Sequence, residues 1–413
     1  MSSAPEARAD RNFWLLVGDA GLFSIGTVCF DPNVVLTVFV AQFTTSPLLI
    51  GAPAALRLAG LYLPQLPTAL GIRNFQHVKG FLVGQAVFGR AALLLSLPAA
   101  LLAGQMGGDA VLALVLAAYG IFAFTDGAAT LAWLDLVGDV VHARLRGPLF
   151  GVIQLLGGLG AIGAGLAVRG LLADAVAAAD FVPLFAWGCA ALFLSALCIA
   201  FIRESADGSR PAVDETPLEH MTTLLRRGHL LRLGLAQTLA SSLQLALPFY
   251  ALFGRDRLGL ASDWLGSFMV AQTVGASLAG LVWARVAQRH GARLVVSLSG
   301  GLLIFVPLFA LLGERFGGGT VLLVVFGLAG AANGGSILGF SQYILDLVPA
   351  RDRRVFVGLA YTANAPSLLM PVAGGLLLNA GGYGLLLAVA MLGGLGAALS
   401  SRWLAEPDSR TQK

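Results

Sequence analysis

Residues 139–151 read DVVHARLRGPLFG, and residues 346–358 read DLVPARDRRVFVG. Aligned without gaps, they share Asp139/Asp346, Val141/Val348, Ala143/Ala350, Arg144/Arg351, Arg146/Arg353 and Gly151/Gly358. The offset of 207 residues is half of the 413-residue chain. Each stretch is a basic turn that follows a long apolar run, so the two mark the same place in two halves of one repeat. The composition around them fixes the class. Apolar residues make up 57% of the chain and charged residues 12%, about half the roughly 25% of a soluble domain. Mean hydropathy is +0.82, and the 53 glycines suit membrane helices, which tolerate glycine better than soluble ones do. A soluble enzyme, a nucleic-acid binder and a disordered chain are excluded.

A helical crossing needs about 20 apolar residues. Counting outward from the two turns gives twelve such spans: 13–42, 47–70, 80–103, 110–134, 148–172, 181–202, 229–253, 264–284, 294–313, 319–345, 355–378 and 382–403. Connections are short except for the polar stretch 203–228, which separates six spans from six. The domain reading is therefore a six-helix bundle over 1–202, a cytoplasmic linker over 203–228 and a second six-helix bundle over 229–413. With both termini cytoplasmic, twenty of the 26 Lys and Arg fall on the cytoplasmic side. Four (Arg169, Arg255, Arg257 and Arg315) fall outside, and Arg57 and Arg90 lie within spans. That bias fixes the orientation and supports the count of twelve. The net charge of +4 is thus spent on topology rather than on an anionic partner. The three cysteines, Cys29, Cys189 and Cys198, lie in apolar runs with no paired spacing and read as small core residues. The first twelve residues are polar and the run after them is too long for a cleaved signal, so no signal peptide is expected.

Over essentially its whole length the chain resembles a major facilitator superfamily transporter. It has six plus six spans, cytoplasmic termini, a long central loop and basic turns after spans 2, 4, 8 and 10. After span 8, Arg289, Gly291 and Arg293 match the superfamily's loop pattern, while Ala284 and Gln288 replace its glycine and acid. The counterpart in the first half, residues 71–79, is a weaker match. Pro371, Gly374 and Gly375 resemble a GPxxGG pattern, but in span 11; span 5 has the glycines without the proline. The resemblance implies an all-α membrane protein with twelve transmembrane helices in two pseudo-symmetric six-helix bundles. Repeated bundles of this kind carry their sites near the bilayer midplane.

Ionisable groups inside spans cost at least about 2.5–3.5 kcal/mol to insert and are functional candidates by default. The first half has Asp31, Arg57, Arg90 and Asp126 in this position. At about 1.5 Å per residue they lie roughly 15–24 Å from the outer boundary, near the middle of a core of about 30 Å. Two acids and two bases at one depth read as a neutralised network. Either it is a packed salt-bridge cluster with no transport role, or one acid exchanges a proton or binds a charged solute. Asp31-Pro32-Asn33 favours the second reading, because proline opens the helix beside a carboxylate. Asp31 is the leading proton carrier and Arg57 its expected partner, with Arg90 and Asp126 able to make the same exchange.

The second half offers neutral polar groups instead. Gln237 and Gln244 share one helix face with Ser241, a stripe that either joins helices or lines a cavity. With Asn33, Gln154, Asn333, Tyr361 and Asn364 they are the candidate solute contacts. A cytoplasmic gate is expected from the repeated turns, Asp139, Arg144 and Arg146 with Asp346, Arg351 and Arg353, and from Asp19 in span 1. The alternative is that the arginines serve topology alone.

No cofactor or metal is expected, because all five histidines lie in or beside cytoplasmic segments. No GxxxxGK sequence is present to bind ATP phosphates, and no DDxxD-type acid cluster of a prenyl-transferring enzyme appears in a loop. The expectation is a monomeric, multi-pass protein of the plasma (inner) membrane that is not an enzyme and binds no nucleic acid. Its partners are a small-molecule substrate, protons and the lipid bilayer. It moves a small organic solute by secondary active transport, with proton-coupled export by an antiporter favoured on the scarcity of cavity charge. Uptake of a nutrient, proton-coupled or facilitated, is the alternative. A non-transporting membrane sensor or membrane enzyme is the alternative of another class.

Overall fold

Span 1 begins as one long helix, Ala4–Cys29, and stops short of Pro32, which has no backbone N–H to give. The chain restarts as Val35–Val40, six residues that are all buried. Asp31 makes the join: its Oδ1 accepts the backbone N–H of Asn33 at 2.9 Å and of Val34 at 2.8 Å. Left unpaired in a dry setting, each of those donors would cost about 1–3 kcal/mol. The Asp31 carbonyl takes the Leu36 N–H at 2.9 Å, and Thr37 Oγ1 donates to the Pro32 carbonyl at 2.7 Å.

The computed structural model describes residues 4–72, 75, 77–141, 143–171, 177–204, 229–261, 263–316, 318–347 and 353–404. Every element in them is helical. Among the described residues, nine segments are each long and apolar enough to cross a membrane. The last of these, Gly358–Trp403, holds two crossings, because Gly381 and Gly382 turn the chain between them with φ of −146° and 69°. Only glycine takes the second value without strain. Two more crossings complete the twelve. Span 2 is broken by Gly51 and Pro64 into Pro47–Ile50, Ala52–Tyr62 and Gln65–Gly71. Span 5 is the 29-residue helix Ala143–Leu171. Span 7 also breaks, at Ser241 and Ser242 between His229–Ala240 and Leu243–Leu258. Span 11 breaks at Asn364, where a 3-10 turn, Ala365–Leu369, leads into the next helix.

An even number of spans puts both ends of the chain on one face, here the terminal face, opposite a far face. Hydrogen bonds tie the terminal ends of the first half together. Asn12 Nδ2 donates to the Arg203 carbonyl at 2.9 Å, and Lys79 Nζ donates to that of Ile202 at 2.7 Å. Residues 205–228 of the expected linker lie outside the described residues.

The core is distributed unevenly between the two faces. Toward the far face one cluster runs through both halves, with Phe30, Phe39 and Phe185 from the first and Phe249, Phe268 and Phe326 from the second. Phe30 stacks on Phe185 at 4.9 Å, and Phe268 stacks on Phe326 at 4.7 Å. Toward the terminal face the core divides. Leu16, Leu82, Leu136 and Ile199 pack within the first half, while Leu233, Val296, Tyr343 and Phe356 form a cluster of the second that Leu66 of span 2 also packs against. Glycine lets the halves approach at the far face: a Cβ on Gly266 of span 8 would overlap the backbone of Gly165 and Arg169 in span 5. One on Gly375 of span 11 would meet the Pro47 carbonyl of span 2 at 2.5 Å. Spans 2 and 11 stay in touch further along, where the Tyr62 and Tyr361 rings lie 6.1 Å apart.

Candidate functional site

Four spans of the first half bring charge together. Span 4 is an unbroken helix, Gly108–Val140, and presents Asp126 and Trp133 on one side, seven residues and two turns apart. Span 2 presents Arg57, whose Nη1 donates to Asp126 Oδ2 at 2.6 Å. The two side chains are 31% and 14% exposed. Arg57 therefore has Asp126 as its ion-pair partner, where Asp31 was expected. The reason is local: the Asp31 carboxylate is committed to the two backbone donors opened by the Pro32 break.

A second centre lies beside the first. Ser195 of span 6 donates to Asp19 Oδ1 at 2.5 Å, and Trp133 Nε1 donates to Asp19 Oδ2 at 2.8 Å. Arg90 of span 3 donates through Nη2 to Ser195 Oγ at 3.2 Å. Asp19 and Arg90 are each only 4% exposed, and Ser195 is fully buried. Arg90 Nη1 has no hydrogen-bond partner among the described residues. Asp19, expected at the gate, thus joins the group that holds Arg90 and Asp126.

These two centres share a cavity of about 290 Å³ enclosed by spans 1, 3, 4, 5 and 6. Asp19, Arg90 and Asp126 line it with Ser24, Gln85, Thr125 and Thr130. Phe23, Phe122, Trp133, Ile153 and Ile199 supply apolar wall. A second cavity of about 310 Å³ adjoins it between spans 1 and 5, sharing Ser24 and Ile153 and reaching Gly157 and Gly158. The arrangement is a mixed pocket: buried charges of both signs on one side, flat apolar surface on the other. Among the described residues no group of three or more His, Cys, Asp or Glu is placed to hold a metal ion.

Asn33, Gln237, Gln244, Asn333, Tyr361 and Asn364, expected as solute contacts, do not line either cavity. Asn33 and Asn364 sit at the breaks of spans 1 and 11, and Gln237 sits just before the break of span 7. Each keeps a buried side-chain oxygen without a partner. Gln244 and Tyr361 are half-buried, and Asn333 is exposed on span 10. The Tyr62 hydroxyl lies against Ser367 and Asn364. Of the gate candidates, Asp139 is exposed at the terminal end of span 4. Arg351 lies outside the described residues. Arg144, Arg146 and Gln154 of span 5, Asp346 of span 10 and Arg353 of span 11 are described only in their helical backbone. Sequence reasoning missed Ser195 and Trp133. Ser195 had one signal, being the lone hydroxyl in the span 6 helix Val182–Phe201.

No family model matches the chain, and no curated protein matches it in sequence. Solved structures do match. The crystal structure of a D-xylose–proton symporter is 14% identical, covers 98% of this chain and 99% of its own, and superposes with a TM-score of 0.72. The E. coli fucose:proton symporter is 16% identical over 95% of this chain and 98% of its own, at a TM-score of 0.63. A bacterial homologue of the iron transporter ferroportin, in an inward-facing state, is 15% identical over 95% and 98%, at 0.69. The chain has the major facilitator fold: an all-α, multi-pass membrane protein of twelve transmembrane helices in two pseudo-symmetric six-helix bundles.

Proposed function

We propose that this protein is a secondary transporter that carries a small organic solute across the membrane by alternating access, in symport with protons. The observation that carries the reading is the cavity holding Asp19, Arg90 and Asp126 inside a helical bundle. Buried ionisable groups are costly in a membrane interior and are kept where they bind or couple. The divided core supplies the second requirement, a fold that opens at one face while packed at the other. Twenty of 26 basic residues fall on the terminal side in the sequence count, which supports a cytoplasmic assignment of that side, a plasma (inner) membrane location and an inward-facing arrangement with spans 2 and 11 still in contact at Leu66. The bundles 1–202 and 229–413 rock about the cavity as a monomer, joined by a cytoplasmic linker over 203–228. The basic turns with Asp139, Arg144, Arg146, Asp346, Arg351 and Arg353 close the cytoplasmic side in the opposite state.

Export was favoured on a scarcity of cavity charge, and three ionisable side chains line this cavity. Two of the similar structures are those of proton symporters. Uptake is therefore the better reading, with the Arg57–Asp126 pair in the coupling role first given to Asp31 and Arg57. Asp126 freed from Arg57 during rocking becomes a desolvated acid that takes up the single coupled proton in transit, and re-pairing with Arg57 passes it on to the other acid of the cavity, Asp19. Counterflow in proteoliposomes tests this. Vesicles preloaded with unlabelled sugars, nucleosides or organic acids should take up the matching labelled compound for at least one class. A sealed vesicle that exchanges none of them contradicts transport.

A further inference from the structure

Arg90 is a buried cation with no direct counter-ion among the described residues. Its Nη2 reaches a hydroxyl, Ser195 Oγ at 3.2 Å, and its Nη1 has no hydrogen-bond partner among the described residues. The nearest carboxylates are otherwise engaged. Asp126 holds Arg57, and both oxygens of Asp19 accept from the neutral donors Ser195 and Trp133. A guanidinium presents a rigid fork that fits a carboxylate with two parallel bonds, and an unpaired one in a dry interior is expensive. Arg90 lies on the wall of the 290 Å³ cavity, facing apolar surface from Phe23, Phe122 and Ile153.

We propose that Arg90 is the carboxylate-binding residue of this cavity and that the transported solute is a small monocarboxylate with an apolar or aromatic body. The proposal rests on the transporter reading above and names its substrate class. Charge counting gives the second part. With Arg57 paired to Asp126, the remaining charges among the described residues of the cavity wall are Asp19 and Arg90, which cancel through Ser195. Adding a carboxylate leaves one uncompensated negative charge in a low-dielectric interior, so one proton enters with it and sits on Asp19. The groups facing Asp19 are Arg90 from span 3, Asp126 and Trp133 from span 4, and Ser195 and Cys198 from span 6. Once protonated, Asp19 gives its O–H to Ser195 Oγ, and the guanidinium is free to take the solute. Proton and solute come from the same side and leave together, so each cycle is electroneutral. A dianion such as phosphate would need a second proton and a second cation.

The test uses the full-length protein in lipid nanodiscs, titrated with benzoate, its uncharged isostere benzamide, and inorganic phosphate in weak buffer. Benzoate should bind, benzamide and phosphate should not, and about one proton should be taken up per benzoate. Arg90→Gln should weaken benzoate binding at least tenfold, and Arg90→Lys should retain part of it. Binding should also change the fluorescence of wild type but not of Trp133→Phe, because Trp133 donates to Asp19. Failure to bind benzoate, equal binding of benzamide or phosphate, indifference to Arg90, or no proton uptake would each overturn the proposal. Counterflow of a neutral solute alongside any of these failures would leave transport standing and remove only the carboxylate.

Discussion

The Arg57–Asp126 pair and the Asp31 cap look alike in sequence, each a charge inside a span, yet they predict different mutant behaviour. Asp126→Asn leaves Arg57 without its carboxylate and should destabilise the protein by about 2–3 kcal/mol, somewhat below the range for a fully buried pair, since Arg57 is 31% exposed. The double change Arg57→Gln/Asp126→Asn should recover a good part of that loss in thermal unfolding of purified protein. Asp31 should behave as a cap instead. Asp31→Asn keeps an oxygen for the Asn33 and Val34 N–H groups and should stay near wild type. Asp31→Ala should cost about 1 kcal/mol, the usual loss of a helix cap. The sequence made the four midspan charges legible as one network, because depth along a helix follows from counting residues. It did not reveal who pairs with whom, since pairing depends on which faces of non-sequential spans meet. Ser195 and Trp133 escaped for a related reason: a single hydroxyl or indole in an apolar run carries no insertion cost large enough to stand out.

Helix breaks show the same division. Pro32 marked the interruption of span 1, and Pro366 lies in the 3-10 turn of span 11. Pro248 and Pro307, however, sit inside continuous helices. Span 7 breaks not at Pro248 but upstream of it, at Ser241 and Ser242. In a membrane, neighbouring hydroxyls and helices re-satisfy the groups a proline frees, so proline alone is a poor guide to where a span opens. The small residues of spans 5 and 11 were visible in sequence, but their use was not. They let spans 5 and 8, and spans 2 and 11, close the far face. Gly266→Ala would push a methyl into the backbone of Gly165 and Arg169, and should bias the protein toward the far-open state. Labelling of a single cysteine placed at Ala261, in a background without Cys29, Cys189 and Cys198, should rise several-fold from the far side. Unchanged labelling would mean that span 5 simply shifts to accept the methyl.

At the scale of the molecule, the repeat of residues 139–151 at 346–358 and the count of twelve spans were enough to give the architecture, because both depend on periodicity and length alone. The site was less accessible. The two halves share a fold but not a chemistry, with the charged cavity wholly in the first, and the conformational state is a property of how bundles pack, which no pattern in one chain encodes. The division of the core predicts that residues lining the cavity are reached from the terminal face only. A cysteine at Ala129 should label from that side and become protected when transported solute holds the protein closed. The coupling of solute to protons is the central claim, and it is read most directly in proteoliposomes by following external pH after adding solutes under a sealed membrane. Addition of a transported solute should alkalinise the medium as protons enter with it, and Asp126→Asn or Asp19→Asn should abolish the signal. Solute entry with no accompanying pH change, or an undiminished signal in both variants, would contradict it.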